Sequence, residues 1–378
     1  MDHLLAEEER IFCDMLDRQV ATQIAPHAAK TDETGGFVHD QLRALAGAGV
    51  LGANLPEAAG GPGISAAALY RAVEIIAGGC GSTVSALTAH FLATDSILIG
   101  GTEAQCAQWL PRAATGEVLG AFALTEPSAG SDPADMKTRA RRTADGWHLS
   151  GSKCFISNGG VADLLVVYAV TDPDAGHRGI SAFLLPKGTP GFTAGPPERT
   201  MGLKGGHVFT LGLDCHLPAD ALLGAEGQGF RTAMKVLDNG RLDVAAQCTG
   251  MAAAALALAV DHARTRIVGG AALAERQGIR WMLADMALDL QAARLLAQEA
   301  VRQRDLGQRF SAAASMAKLH ASEAADRIAD AALQIHGGYG YTRDFPLERI
   351  TRDLRIMRIY EGSSEIQRNI IAGHVLAG

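Results

Sequence analysis

The chain has 378 residues, too many for one compact core and suited to two or three packed domains. Apolar residues make up 48% and charged residues 20%, so burial can offset chain entropy and wholesale disorder is excluded. A net charge of −7 excludes a nucleic-acid binder that relies on a global basic field.

Six cysteines are scattered through the chain without a CxxC pair or a His/Cys ladder. That argues against structural zinc and against a disulfide scaffold, and no metal is expected. The longest apolar stretch, Met251 to Val260, falls short of the roughly 18–20 residues a membrane span needs. The first ten residues are acidic and read as neither signal nor transit peptide, so a cytoplasmic enzyme without a membrane partner is expected.

In chain order, Leu4, Leu5, Glu8, Ile11, Phe12, Met15 and Leu16 recur at helical spacing. Pro26 and Gly35-Gly36 interrupt, helical periodicity returns at His39–Ala48, and Ser65 caps a further helix after a glycine-rich loop. From about residue 120 the texture changes to short apolar or alternating runs: Trp147–Leu149, Leu164–Val170, Ile180–Leu185 and Val208–Leu213. Asp145-Gly146 marks a hairpin turn. From about residue 229 the chain turns helical again, with long amphipathic segments over 230–262, 275–304 and 311–336 and a short one near the end. The fold class is therefore α+β and multi-domain: an N-terminal α-helical domain (1–120), a middle β-barrel or sandwich (121–228) and a C-terminal four-helix bundle (229–378). Such bundles often pair between subunits, so a homo-oligomer is expected.

Four segments could carry chemistry. Phe122 to Asp132 runs from a strand through Thr-Glu-Pro into small residues that let a ligand approach the backbone. Lys153 to Gly160 sets an aromatic beside a hydroxyl and closes with Asn-Gly-Gly. Gln334 to Tyr341 packs three glycines and two tyrosines behind a helix, outside any dinucleotide fingerprint. Ile359 to Arg368 puts Glu361 between an aromatic and a glycine, ahead of a capped helix. Burial there raises a carboxyl pKa and makes a base. Each segment alone reads as an ordinary turn or helix start.

Together the stretches TEPSAGSD, FISNGG, LDNGRLDVAAQ, QIHGGYGYTRDFPLERITRD and IYEGSSEIQR resemble the acyl-CoA dehydrogenase family in order and spacing, over essentially the whole chain. The resemblance implies the same α/β/α layout, a homotetramer built as a dimer of dimers, and a place in fatty-acid β-oxidation. It implies FAD held by Phe122, Leu124, Thr125 and Ser131, by Phe155, Ile156 and Ser157 behind the ring, and by Ser363 and Glu365. Arg266 with Gln277, and Gln334 with Gly338, match clamps that reach FAD across a subunit interface. Ser131, Asp238, Arg241 and Gly362 match acyl-CoA contacts, and Glu361 matches the catalytic base. The implied reaction is α,β-dehydrogenation of a short- to medium-chain acyl-CoA to the trans-2-enoyl thioester, with electrons passed to an electron-transfer flavoprotein. The Asp-Asn-Gly-Arg stretch is closest to the short-chain subset. Alternatives within the same fold are an acyl-carrier-protein thioester substrate, an oxidase or a monooxygenase, and, outside catalysis, a flavoprotein scaffold. One departure stands out: where the family carries Phe-Gly after Arg266, this chain carries Gly269-Gly270, which is expected to loosen that loop.

Overall fold

The computed structural model describes residues 2–377. Six helices come first: α1 (Glu7–Gln19), α2 (Ala28–Thr34), α3 (His39–Gly47), α4 (Ala66–Gly79), α5 (Gly81–Gly100) and α6 (Glu103–Ala114). Their starts follow local chemistry. Glu7, Glu8 and Glu9 fill the first turn of α1, where negative charge complements the helix dipole. Ser65 caps α4 by accepting the Ala68 N–H at 3.2 Å. Thr102 and Gln105 form a reciprocal capping box on α6. Helix α5 is buried on every side from Gly81 to Ile97, its polar residues included.

The middle region is one curled seven-stranded sheet made of β1 (Gly120–Ala123), β2 (Arg139–Arg142), β3 (Gly146–Ser157), β4 (Leu164–Val170), β5 (Ile180–Pro186), β6 (Phe192–Ala194) and β7 (Val208–Pro218). The order is β1-β4-β2-β3-β7-β6, with β5 on the other side of β4. Every residue of β4 is buried, as a strand covered on both faces requires. Asp145 sits in the turn between β2 and β3, closed by Thr143 N–H donating to Gly146 O at 2.9 Å. Strands β3 and β7 pair from Gly146↔Pro218 to Ser157↔Val208, with a register irregularity between Lys153 and Ile156.

Helices α7 (Gly229–Thr265), α8 (Gln277–Asp305), α9 (Ser311–His336), α10 (Leu347–Leu354) and α11 (Ser364–Ala377) complete the chain. Between α7 and α8 lies a small hairpin, β8 (Ile267–Val268) with β9 (Ala271–Ala272). Gly269 and Gly270 take φ of +60° and +79° in its two-residue turn. The second glycine therefore tightens this loop instead of loosening it, because such a turn needs left-handed backbone at both central positions. Two helices, α5 and α7, are long and apolar enough to cross a membrane, although no such stretch stood out in the sequence. Most of each apolar window is buried within the fold, which is the ordinary use of such a helix in a protein core.

The regions interlock. The N-terminal helices and the C-terminal bundle share a single hydrophobic core that includes Ile76, Leu87, Ala246, Ala255, Ala325 and Leu354. His90 on α5 accepts the Gly120 N–H at 2.9 Å, and Asn158 donates to Ala86 O at 2.9 Å, so α5 is pinned to the sheet. Arg352 on α10 bridges Asp32 and Glu348. Helices α4 and α7 pack at their glycines: a Cβ on Gly250 would collide with Glu74 O and lie 2.9 Å from Ala77 Cβ. Gly250→Val should therefore lower stability by about 1–3 kcal/mol, the usual cost of overpacking, read as a drop in the denaturant midpoint with the slope unchanged.

Candidate active site

Glu361 sits in the turn between α10 and α11, on left-handed backbone with φ +56°. A non-glycine residue there costs about 1–3 kcal/mol and persists only where its surroundings over-determine it. They do so here. Lys318, fully buried on α9, donates Nζ to Gly362 O at 2.7 Å. Gln367 donates Nε2 to both Glu361 O (3.1 Å) and Gly362 O (2.8 Å). Tyr360 donates its hydroxyl to Gln247 Oε1 on α7 at 3.0 Å, and Gln247 in turn donates to Thr88 on α5 at 3.1 Å.

The carboxylate points at α7. A Cβ on Gly240 would collide with Glu361 Oε2 and lie 2.9 Å from both Glu361 Cδ and Leu92 Cδ2. Only glycine leaves room for the acid at that position. Glu361 Oε2 is buried and has no hydrogen-bond partner. Burial pushes the pKa up to about 7, against the opposing pull of Arg241 and Lys318. Asp238, another carboxylate of this region, is held by Arg241 and by Ser311 Oγ, so it is not free to act as a base.

The strand-end segments meet next to one another. Cys154 N–H donates to Thr125 O at 3.0 Å, which sets Leu124 and Thr125 beside Phe155 and Ser157. Phe155 has φ +55° and stands 67% exposed at the β3 irregularity, so a bulge turns its ring outward. Ile156 points the other way, into the sheet core, leaving its backbone as the part a ligand can reach. Phe122 packs on Tyr168 with ring centroids 5.0 Å apart, and Ser131 is exposed on the loop. A buried ion pair fixes that loop: Lys153 Nζ lies 2.8 Å from Glu126 Oε1 and also donates to Leu124 O at 2.9 Å. Glu126 accepts the backbone N–H groups of Lys137 and Thr138, closing the loop's far end.

Arg266 and the Gln334–Gly338 segment come together elsewhere. Arg266, His262, His336, Gly337, Gly338 and Tyr339 line a cavity of about 410 Å³, with the Arg266 guanidinium 5.6 Å from the Tyr339 ring centre. Gln334 is exposed beside it, and Gln277 is exposed at the first turn of α8. No hydrogen bond, ion pair or ring contact joins these residues to Phe155 or Glu361 among the described residues. Ser363 donates to Glu365 at the start of α11, and Glu365 is exposed.

Family models for the N-terminal, middle and C-terminal domains of acyl-CoA dehydrogenase match residues 6–117, 121–214 and 227–376. The chain belongs to the acyl-CoA dehydrogenase family. It is 43% identical to the mitochondrial short-chain specific acyl-CoA dehydrogenase of Homo sapiens, over 94% of this chain and 86% of that one. It is 41% identical to an acryloyl-CoA reductase (NADH) of Anaerotignum propionicum, over 100% and 96%. The solved butyryl-CoA dehydrogenase of Megasphaera elsdenii superposes with a TM-score of 0.96 at 39% identity, covering 98% of this chain and 99% of that one.

Acyl-CoA dehydrogenases are FAD flavoproteins that oxidise a CH–CH bond, and the residues present here fit that cofactor. An outward aromatic lies on a strained bulge, and two buried polar atoms beside the Glu361 turn, Ser364 Oγ and Gln367 Oε1, lack partners. Several supporting residues were not visible as site residues in sequence: Lys318, Gln367, Glu126 and Lys153. The available signal was charge where the pattern calls for an apolar residue, since Lys318 interrupts the buried alanines 314, 317 and 321 of α9. Lys318→Met should remove a positive charge that holds the Glu361 pKa down. The acidic limb of the kcat/KM profile should then move upward by about one pH unit, with flavin content unchanged.

Proposed function

We propose that this chain catalyses FAD-dependent α,β-dehydrogenation of a short-chain acyl-CoA. The observation that carries the reading is the Glu361 carboxylate: buried, without a donor of its own, facing α7 and titrating near neutrality. A base of that pKa is matched to removing a weakly acidic α-proton at physiological pH. Glu361 takes the α-proton, and its backbone N–H is the donor for the thioester oxygen as negative charge develops there. FAD, when bound, accepts the hydride from the β-carbon. Phe155 and the Leu124-Thr125 edge orient the ring, and Ser131, Arg241 and Gly362 contact the acyl-CoA. Glu361 weighs against a monooxygenase, which has no use for such a base. Because its pKa lies near neutrality, the same carboxyl in its acid form can return a proton to an enoyl thioester. That accommodates the reverse direction named for the Anaerotignum propionicum relative.

The electron acceptor we propose is an electron-transfer flavoprotein, and the compartment is the cytoplasm, in keeping with six free cysteines. The assembly is a homotetramer. Arg266, Gln277, Gln334 and Gly338 make no hydrogen bond, ion pair or ring contact with Phe155 among the described residues, which suits residues that complete a neighbour's cofactor site. Trp281, Leu288 and Leu295 form an exposed apolar stripe at seven-residue spacing along α8, suited to helix pairing between copies. Light scattering at micromolar concentration should give four chains with about one FAD each. A monomer retaining full flavin would overturn the cross-subunit roles.

Glu361→Gln keeps shape and removes the proton acceptor. It should retain FAD and bind acyl-CoA, yet slow flavin bleaching by butyryl-CoA about 10²–10⁴-fold or more. Bleaching at close to the wild-type rate would refute Glu361 as the base.

A further inference from the structure

Beside the Glu361 carboxylate lies a second acidic group that the dehydrogenation of a plain alkyl chain does not use. Asp95 on α5 stands three residues from Leu92, and Asp243 on α7 stands three residues from Gly240, the two positions that flank Glu361. Both are almost fully buried, at 3% and 6% exposure. Asp95 is held by amides and not by a cation: Asn54 Nδ2 donates to its Oδ1 and Asn239 Nδ2 to its Oδ2, each at 2.7 Å. Asp243 has no hydrogen bond or ion pair among the described residues. Its electrostatic neighbours are Asp95, Arg304 and Glu361. Arg304 is the cation that acts on both aspartates, and it forms no ion pair with either among the described residues.

Around the two aspartates the acceptors outnumber the free donors among the described residues: the Asp243 carboxyl makes no hydrogen bond, and Glu361 Oε2 and Asn54 Oδ1 are buried without a partner, against one unpartnered donor, Arg241 Nε, on the guanidinium that Asp238 already holds. Asn54 Nδ2 is committed to Asp95 and Thr94, and Asn239 Nδ2 gives one of its two N–H groups to Asp95. An alkyl terminus placed here would bury acceptors without donors, which costs about 1–3 kcal/mol for each neutral group and more for a charged one. A ligand with N–H donors and a positive charge answers both the missing donors and the missing charge.

We propose that Asp95 and Asp243, with Asn54, form a subsite for a protonated amine carried on the acyl chain, so that the preferred substrate is an ω-aminoacyl-CoA. The proposal rests on the acyl-CoA reading of the Glu361 site and names its substrate class. One helical turn separates Gly240 from Asp243, roughly 5 Å along the axis, so the amine belongs a few bonds beyond the β-carbon. In the absence of ligand, burial and then the Asp95 charge push the Asp243 carboxyl well above the usual carboxylate range, toward the form that holds its proton. Docking of an ammonium group favours the carboxylate and expels that proton.

The test compares 5-aminopentanoyl-CoA with hexanoyl-CoA, in which a methyl replaces the ammonium, and with 5-hydroxypentanoyl-CoA. Binding is measured by calorimetry on the FAD-loaded Glu361→Gln protein, so the readout does not depend on turnover. The aminoacyl thioester should bind about 10–100-fold more tightly than hexanoyl-CoA, the range of hydrogen bonds to charged groups. Its binding heat should also vary with buffer ionisation enthalpy as a proton is released. Adding Asp243→Asn should bring the two affinities together and abolish the buffer dependence. Hexanoyl-CoA binding as tightly as the aminoacyl thioester would overturn the proposal and make the two aspartates a structural, proton-sharing pair. Equal binding by the hydroxyl analogue would overturn the cationic part. Flavin bleaching of the wild-type protein by butyryl-CoA, measured alongside, tests the underlying dehydrogenase reading separately, whichever thioester binds best.

Discussion

A carboxyl group buried with no donor of its own is the constraint around which this molecule is arranged. Raising the Glu361 pKa from 4.5 to about 7 corresponds to a penalty on the order of 3 kcal/mol for the ionised form. The penalty is absent below the unfolded pKa, grows between 4.5 and about 7, and is complete above it, so the site draws stability from the fold at the pH where it is useful. Everything near the turn serves to keep the acid in place despite that. Gly240 clears a space, Lys318 and Gln367 hold the carbonyls on either side, and the Tyr360–Gln247–Thr88 chain ties the segment to two helices.

Charge is used in two different ways. Around Glu361 the two nearest cations are kept at a distance: Arg241 is occupied by Asp238, and Lys318 spends its proton on a carbonyl. Neither pairs with the acid, so the acid stays weak. On the sheet side, Lys153 and Glu126 are paired directly and almost fully buried. Such a pair adds little net stability compared with apolar residues, but breaking it leaves an uncompensated charge. Its value is positional, since it fastens the Phe122–Asp132 loop to the strand that turns Phe155 outward.

Much of this was legible in the chain itself. Long helices announced themselves by periodicity, and Ser65 and Asp145-Gly146 marked a helix start and a hairpin by turn chemistry alone. The Tyr-Glu-Gly-Ser segment pointed to a base because glycine and an aromatic beside a glutamate imply irregular, desolvated backbone. Other features depend on distances between remote segments and leave no local trace. Lys318 is 43 residues from Glu361, and Gly240 is 121 residues away; only packing brings them to one point. The Gly269-Gly270 pair looked like a weakness because glycine adds freedom to an open chain. In a two-residue hairpin the same freedom is what the backbone geometry demands. Helices α5 and α7 show the converse, since an apolar run says that a helix will be buried but not in what.

The shared core of the first and last helical regions has a kinetic consequence. Ile76 and Leu87 belong to the same cluster as Ala325 and Leu354, and the whole sheet lies between them in sequence. Closing contacts over that span costs loop entropy before burial repays it. During synthesis the N-terminal helices emerge long before their partners, carrying the apolar faces of α4 and α5 uncovered. The sheet can form in the interval, but the first hundred residues cannot finish folding until the last hundred have left the ribosome. Truncation at the C-terminal end of such a chain leaves the N-terminal helices without the partners that complete their core.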